Sequence, residues 1–227
     1  MGIKAVLFDL DGTLIDSSEG IINCVRYALD YYGIQEDNRK ILYSFIGPPL
    51  RDSFQRYYGF DKEKAAEAVA KYRERYHKIG IFECSLYPHV KETIENLKEQ
   101  GYRIGMASSK PEESCRRILK HFGILPLFDD VVGATMDGRI DTKEEVLSEV
   151  FYRWQELSKD EMCLIGDTMF DVNGAVAHQI PCIAVSYGFG DIAEMLEHGA
   201  RFRCDDLSQL PELLKMLSSG EESYEQK

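Results

Sequence analysis

The chain has 227 residues, of which 27 are basic and 39 acidic, giving a formal charge of -12; that length suits one or two domains and can bury a substantial core. The acidity excludes the basic footprint on which non-specific nucleic-acid binding depends, so no nucleic acid polymer is expected as partner. An anionic substrate would need a local positive site working against the overall field. No apolar run approaches the roughly 18 residues that span a bilayer, and the N-terminal apolar run is too short, broken by Asp9, for a signal peptide. The six cysteines are scattered without a C-x-x-C pair, which argues against zinc or a redox motif and for reduced thiols in a cytoplasmic protein.

Ala5–Phe8 is rich in β-branched and aromatic residues and reads as a buried strand, yet it runs straight into Asp9, Asp11, Gly12 and Thr13. From Ser17 the pattern turns helical. Ser17 or Ser18 is placed to cap a helix carrying Ile21, Val25, Ala28, Leu29 and Tyr32 on one stripe, stopped by Gly33. Residues 37–46 read as a second helix before Gly47-Pro48-Pro49, Leu50–Tyr58 as a third, and a fourth, capped by Asp61, carries Ala65, Ala68, Val69, Tyr72 and Tyr76. The stretch 17–80 is thus expected to form a small all-helical domain, with 1–16 and 81–227 forming the other.

After Pro88 the rhythm becomes helix, strand, helix, strand. Helices are expected at 88–100, 111–122, 142–157, 170–178, 192–197 and 207–217. Strands are expected at 102–108, 130–134, 162–166, 181–186 and 202–204. That alternation implies an α/β fold with a parallel sheet and helices on both faces. The polar tail from Ser218 is expected to be disordered.

Polar groups gather where these strands end, the edge at which open α/β sheets hold their reactive groups. Asp9 and Asp11 follow the first strand, Ser108, Ser109 and Lys110 another, and Asp167 a third with Asp171 four residues on; Lys143 opens a helix. Each has an ordinary explanation as well. Asp-Gly is a common turn pair, Ser109-Lys110 before Pro111 or Asp167-Thr168 can cap a helix, and Lys143 can be a solvated first-turn lysine. What weighs against these is the coincidence on one rim.

The set suits phosphoryl transfer. Magnesium needs few protein oxygens: the Asp9 and Asp167 carboxylates and the Asp11 main-chain carbonyl, with Asp171 behind them orienting a metal water or Lys143. Lys143, the Ser108 hydroxyl and the Gly12 and Ser109 amides would hold the phosphoryl group. Asp9 would attack phosphorus, while Asp11 protonates the leaving oxygen and then deprotonates water.

FDLDGTL (Phe8–Leu14), MASSK (Met106–Lys110), Lys143 and GDTMFD (Gly166–Asp171) together resemble the four motifs of the haloacid dehalogenase-like hydrolase superfamily. The resemblance implies a Rossmann-like core, a Mg²⁺ cofactor, an aspartyl-phosphate on Asp9, phosphate contacts from Ser108 and Lys143, and Asp11 as acid and base. Dehalogenase members carry another residue where Asp11 stands, so Asp11 favours phosphate chemistry. The helical insertion is similar to the cap of the phosphoglycolate phosphatase-like branch, in which a loop, here Ile46–Arg51, faces the active site; Arg51 is the substrate-binding candidate on it.

The expected activity is hydrolysis of a small phosphomonoester, phosphoglycolate-like, by a monomer or homodimer acting on a small phosphorylated metabolite. A 5'-nucleotidase, a pyrophosphatase or a sugar-phosphate mutase on the same core is the alternative. Outside enzymes, a phosphate-binding regulator with a vestigial site would have lost Asp9, Asp11 or Lys143, and all three are present. The five histidines show no ligand spacing, and Phe54, Tyr57 and Tyr58 either border a substrate pocket or form the core of the helical domain.

Overall fold

The computed structural model describes residues 2–220. The chain divides into two compact units, one formed by Met1–Ile15 with Leu86–Lys227 and the other by Asp16–Ser85. Two short strands, β2 (Ile15–Asp16) and β3 (Ser85–Leu86), pair with each other.

The first unit is built on β1 (Ala5–Phe8), whose four residues are all buried. It lies in a six-stranded parallel sheet with β4 (Arg103–Pro111), β5 (Asp130–Ala134), β6 (Met162–Gly166), β7 (Cys182–Val185) and β8 (Phe202–Cys204), in the order β5-β4-β1-β6-β7-β8. A strand buried on both faces reads as a continuous apolar run, which is why AVLF and MCLIG carry no alternation. Phe8 pairs with Met106 on one side and Ile165 on the other. That register carries Asp9, Ser108 and Asp167 to the same edge of the sheet, at the carboxyl ends of its three central strands.

Helices surround this sheet. One apolar cluster joins Ala5, Leu7, Ala107, Leu164 and Cys182 to Val146, Leu147 and Val150 and to Val172 and Ala175. The alternate residues Val6, Phe8, Ile104 and Met106 are equally buried, as strand geometry requires when the second face is covered. Trp154, 1% exposed, sits in the first cluster. A β-carbon on Gly105 would come within 2.7 Å of its indole Cη2 and 2.8 Å of Leu7 Cδ2, so the glycine is the space in which that ring rests.

The second unit contains α1 (Ser18–Asp30), α2 (Arg39–Tyr43), α3 (Leu50–Tyr58) and α4 (Lys62–Tyr76). Ile21, Cys24, Val25, Ala28 and Leu29 of α1 and Ala65, Ala68, Tyr72 and Tyr76 of α4 are its buried stripes. Phe54 and Phe60 stack at 6.0 Å, with Phe45 edge-on to Phe54 at 5.0 Å. Phe54 is fully buried there, which makes it part of this unit's core. Gly20 is needed for a close approach, since its β-carbon would lie 2.1 Å from the Gly80 carbonyl oxygen.

The remaining helices, all in the first unit, are α5 (Val90–Glu99), α6 (Glu112–His121), α7 (Lys143–Arg153), α8 (Met169–His178), α9 (Ile192–Glu197) and α10 (Leu210–Ser219). Several differ from the sequence expectation for local reasons. At α1 neither serine supplies the cap: Asp16 Oδ1 accepts from the Ser18 amide at 2.9 Å, and the Ser17 hydroxyl makes no side-chain cap bond. α2 is only five residues, opened by the Asn38 side chain and closed by the Ser44 hydroxyl on the Ile41 carbonyl. β4 continues past Ser108 to Pro111, which pairs with Ala134 after a register shift. Ser109 and Lys110 therefore belong to a strand extension and do not cap α6.

Near the C-terminus, a 3-10 turn (Leu207–Gln209) takes the first turn expected of the last helix, and Pro211 sits in the first turn of α10. Of the polar tail expected to be disordered, Ser218 and Ser219 are in α10 and Gly220 closes it, and the Ser218 hydroxyl accepts from the Ile3 amide; 221–227 lie outside the described residues. Among the described residues no helix is long and apolar enough to cross a membrane, and all six cysteines are free thiols.

Candidate active site

Directly after β1 the backbone turns sharply. The Leu10 carbonyl accepts from the amides of Thr13, Leu14 and Ile15, and Gly12 adopts φ +80°. Asp9 is anchored by its own amide on the Ile165 carbonyl at 2.9 Å and is 7% exposed. A β-carbon at position 12 would sit 1.9 Å from Asp167 Oδ2, so glycine is required by both the turn and the neighbouring acid.

Lys143 is the first residue of α7. Thr142 caps that helix reciprocally with Glu145: the Thr142 hydroxyl accepts from the Glu145 amide at 3.2 Å, and Glu145 Oε2 accepts from the Thr142 amide at 3.0 Å. From this fixed start the lysine runs inward, its stem lying over Gly174, where a β-carbon would stand 2.6 Å from Lys143 Cγ. Its ammonium donates to Asp9 Oδ1 at 2.6 Å and to the Ala107 carbonyl at 2.7 Å, and forms an ion pair with Asp171 Oδ1 at 2.7 Å.

Asp171 has two duties. Its Oδ2 accepts from the Thr168 amide at 3.0 Å and hydroxyl at 2.9 Å, closing the capping box of α8, while Oδ1 faces Lys143. Asp167, 1% exposed, accepts from the Phe189 amide at 2.9 Å and, through Oδ1, from the Thr13 hydroxyl at 3.4 Å. Asp9, Asp167 and Asp171 each bring a carboxylate oxygen to within 4.8 Å of the others.

The electrostatics are those of a site short of positive charge. Burial pushes the Asp9 carboxyl up to about 6; Lys143 pulls it down, while Asp171 and Asp11 push it further up. Burial, with Asp171 and Asp9 alongside, holds Asp167 well above the usual carboxylate range. Burial works against the Lys143 charge, but Asp171 and Asp9 outweigh it and hold the ammonium above its ordinary value. Lys110, 10% exposed at its side chain, pairs with both oxygens of Asp11 at 2.6 and 2.8 Å. Four carboxylates thus face two ammonium groups, and Asp167 has no ion-pair partner among the described residues. A buried carboxylate left this way is costly, and ionising all four acids would leave two more negative than positive charges, which one divalent cation would balance. The donor set, all oxygen, suits a hard cation such as Mg²⁺.

The residues singled out from sequence divide as follows. Asp9, Lys143, Asp167 and Asp171 come together directly, with Asp11 and Ser108 on the same edge; the Ser108 hydroxyl accepts from the Lys110 amide at 3.3 Å. Ser109 is exposed. The Gly12 amide, expected to face phosphate, donates instead to the Ile15 carbonyl at 2.8 Å; that donor is committed within the turn, and the glycine serves by lacking a side chain. Arg51 is an exposed residue in the first turn of α3 in the helical unit. The sequence placed Lys110 on this edge beside Ser108 and Ser109 but gave it no role of its own. Sequence reasoning passed over Thr13, Tyr187 and Phe189, and only the glycine spacing in Gly188-Phe189-Gly190 hinted at a backbone brought close to something.

Residues 6–185 match the sequence profile of the haloacid dehalogenase-like hydrolases, a span that takes in every acid and both lysines of this cluster. A 5'-nucleotidase of Pseudomonas aeruginosa is 39% identical over 210 residues, 92% of this chain and 95% of its own length. Pyrophosphatase PpaX of Halalkalibacterium halodurans is 33% identical over 187 residues, 82% of this chain and 85% of its own. The crystal structure of a predicted phosphatase from Clostridium acetobutylicum superimposes with a TM-score of 0.87 at 38% identity, covering 95% of this chain and all of that one. The chain belongs to the haloacid dehalogenase-like hydrolases, among their phosphatases.

Proposed function

We propose that the protein hydrolyses a small phosphomonoester in a Mg²⁺-dependent reaction through an aspartyl-phosphate on Asp9. What carries the reading is the Lys143 ammonium set between Asp9 at 2.6 Å and Asp171 at 2.7 Å, in a buried cluster where Asp167 also brings a carboxylate oxygen close to both acids. Asp9, Asp167 and Asp171, with the Asp11 carbonyl, would hold the cation. When bound, Mg²⁺ supplies positive charge to the phosphoryl oxygens.

In the first transfer an Asp9 carboxylate oxygen bonds to phosphorus, the ester P–O bond breaks, and Asp11 gives its proton to the leaving oxygen. In the second, Asp11 takes a proton from water, the water oxygen bonds to phosphorus, and the bond to Asp9 breaks to release phosphate. Lys143 keeps Asp9 in place and, with the Ser108 hydroxyl, answers the charge on the phosphoryl group. Lys110 fixes the Asp11 carboxylate through two contacts.

For the substrate, the relative at 39% identity named 5'-nucleotidase supports a nucleoside 5'-monophosphate as the first candidate ahead of phosphoglycolate. The relative named pyrophosphatase supports pyrophosphate as the second. Arg51 and the Ile46–Arg51 loop of the helical unit remain the proposed selectivity element. The test is phosphate release from nucleoside monophosphates, phosphoglycolate, sugar phosphates and pyrophosphate, with Mg²⁺ or with a chelator. Turnover of one class that stops on chelation is expected; phosphate release unaffected by chelation would overturn the proposal.

A further inference from the structure

The segment after β7, Ser186-Tyr187-Gly188-Phe189-Gly190, belongs to none of the four motifs, yet it touches the acid cluster at several points. The Phe189 amide donates to Asp167 Oδ2 at 2.9 Å, and the Gly190 amide donates to the Asp167 carbonyl at 3.1 Å. The Tyr187 hydroxyl donates to the Thr13 carbonyl at 2.9 Å, and the Thr13 hydroxyl in turn donates to Asp167 Oδ1 at 3.4 Å. Both carboxylate oxygens of Asp167 are therefore held by groups that this segment supplies or steadies.

The contact is close enough to dictate residue type. A β-carbon on Gly188 would lie 2.3 Å from Asp167 Cβ, 2.6 Å from its Oδ2 and 2.6 Å from the Gly12 carbonyl oxygen. On Gly190 it would lie 2.2 Å from the Asp167 carbonyl oxygen. Neither glycine needs a positive φ, so conformational freedom is not the reason for them. Space is the reason. The Tyr187 ring, with its centroid 4.5 Å from that of Tyr87, fixes the hydroxyl end that reaches Thr13.

We propose that Tyr187–Gly190 is a positioning element for the cation centre. It holds the Asp167 carboxylate in one rotamer, so that the cation meets a ligand already oriented. Groups behind a metal ligand act in this way, and their loss typically costs about 10–100-fold in affinity. The inference rests on the reading of Asp167 as part of a Mg²⁺ site.

The experiment is calorimetric titration of Mg²⁺ into the full chain and its variants, with the Mg²⁺-induced rise in melting temperature as a second readout. Gly188→Ala is expected to weaken Mg²⁺ by about tenfold or more. It should also raise the Mg²⁺ concentration for half-maximal phosphate release, while saturating Mg²⁺ restores much of the rate. Loop packing alone would lower the metal-free melting temperature and leave the Mg²⁺ affinity where it was. Tyr187→Phe removes one hydroxyl without adding volume and is expected to weaken Mg²⁺ about threefold or more; it decides the matter if Gly188→Ala does not fold. Wild-type Mg²⁺ affinity in either folded variant overturns the inference while leaving the metal site standing. No Mg²⁺ binding by the wild type would instead overturn the metal site itself.

Discussion

Lys110 closes on Asp11 through both carboxylate oxygens, at 2.6 and 2.8 Å, from a strand extension that the register shift after Ser108 creates. The pair places a second cation on the edge of the sheet, independent of Lys143. If Asp11 moves protons, Lys110 sets where it stands. Lys110→Ala should lower kcat by about 10–100-fold, within what positioned acid–base catalysis contributes. The steady-state rate of phosphate release measures this, and a kcat within twofold of wild type would show that Asp11 takes its place without Lys110.

Asp9→Asn keeps the size of the side chain and removes the attacking oxygen's charge. Turnover should fall by at least about 10⁴-fold, as for other residues that act as one unit with their partners. Acid-quenched protein incubated with substrate should carry covalent phosphate in the wild type and none in the variant.

Lys143 is 6% exposed and is shared by two buried acids. Lys143→Ala would leave Asp9 and Asp171 facing each other without it, and breaking a buried pair from one side costs about 3–5 kcal/mol. Urea unfolding should register that loss, and Mg²⁺ should recover part of it.

The capping box at α7 is remote from chemistry yet sets where Lys143 begins. Thr142→Ala should destabilise the fold by about 1 kcal/mol. It should also reduce kcat through the misplaced lysine, whereas Thr142→Ser should restore both. A stability loss with full kcat would show that the lysine finds its place without the cap.

Glu161 carries an acid-sensitive part of the stability. The Lys4 ammonium and the Ser158 amide and hydroxyl hold its carboxyl down to about 2, from an ordinary 4.5. Because the folded value is the lower one, the contribution is fully present above about 4.5 and is lost as pH falls toward 2. Glu161→Gln should therefore narrow the difference between urea midpoints at pH 7 and pH 3. An unchanged difference would assign the acid sensitivity elsewhere.

The reading from sequence succeeded where one residue type has one strong reason to be present. A buried run ending in Asp9 or Asp167 signals a strand end with something to offset the acid, and the parallel sheet then brought those ends together. It failed where geometry depends on long-range pairing. The continuation of β4 through Lys110 to Pro111 exists because Ala134 lies opposite, and nothing local announces that. His89 caps α5 with φ +63°, so the helix starts at Val90, two residues after the start that Pro88 had marked. The Gly12 amide was given to phosphate because a glycine turn after a strand offers donors. Its true partner, the Ile15 carbonyl, is set by how tightly the turn closes. The hold of the Gly188–Gly190 segment on Asp167 reaches across more than twenty residues, with α8 and β7 between.

The indole resting on Gly105 is the protein's single tryptophan, and the helical unit, Asp16–Ser85, contains none. Light at 295 nm therefore addresses the sheet-bearing unit alone. Emission from that one ring reports on the sheet-bearing unit, whereas far-ultraviolet dichroism sums the helices of both units, so a dichroism change that does not coincide with the change in emission would reveal the helical unit melting separately, without attaching a label.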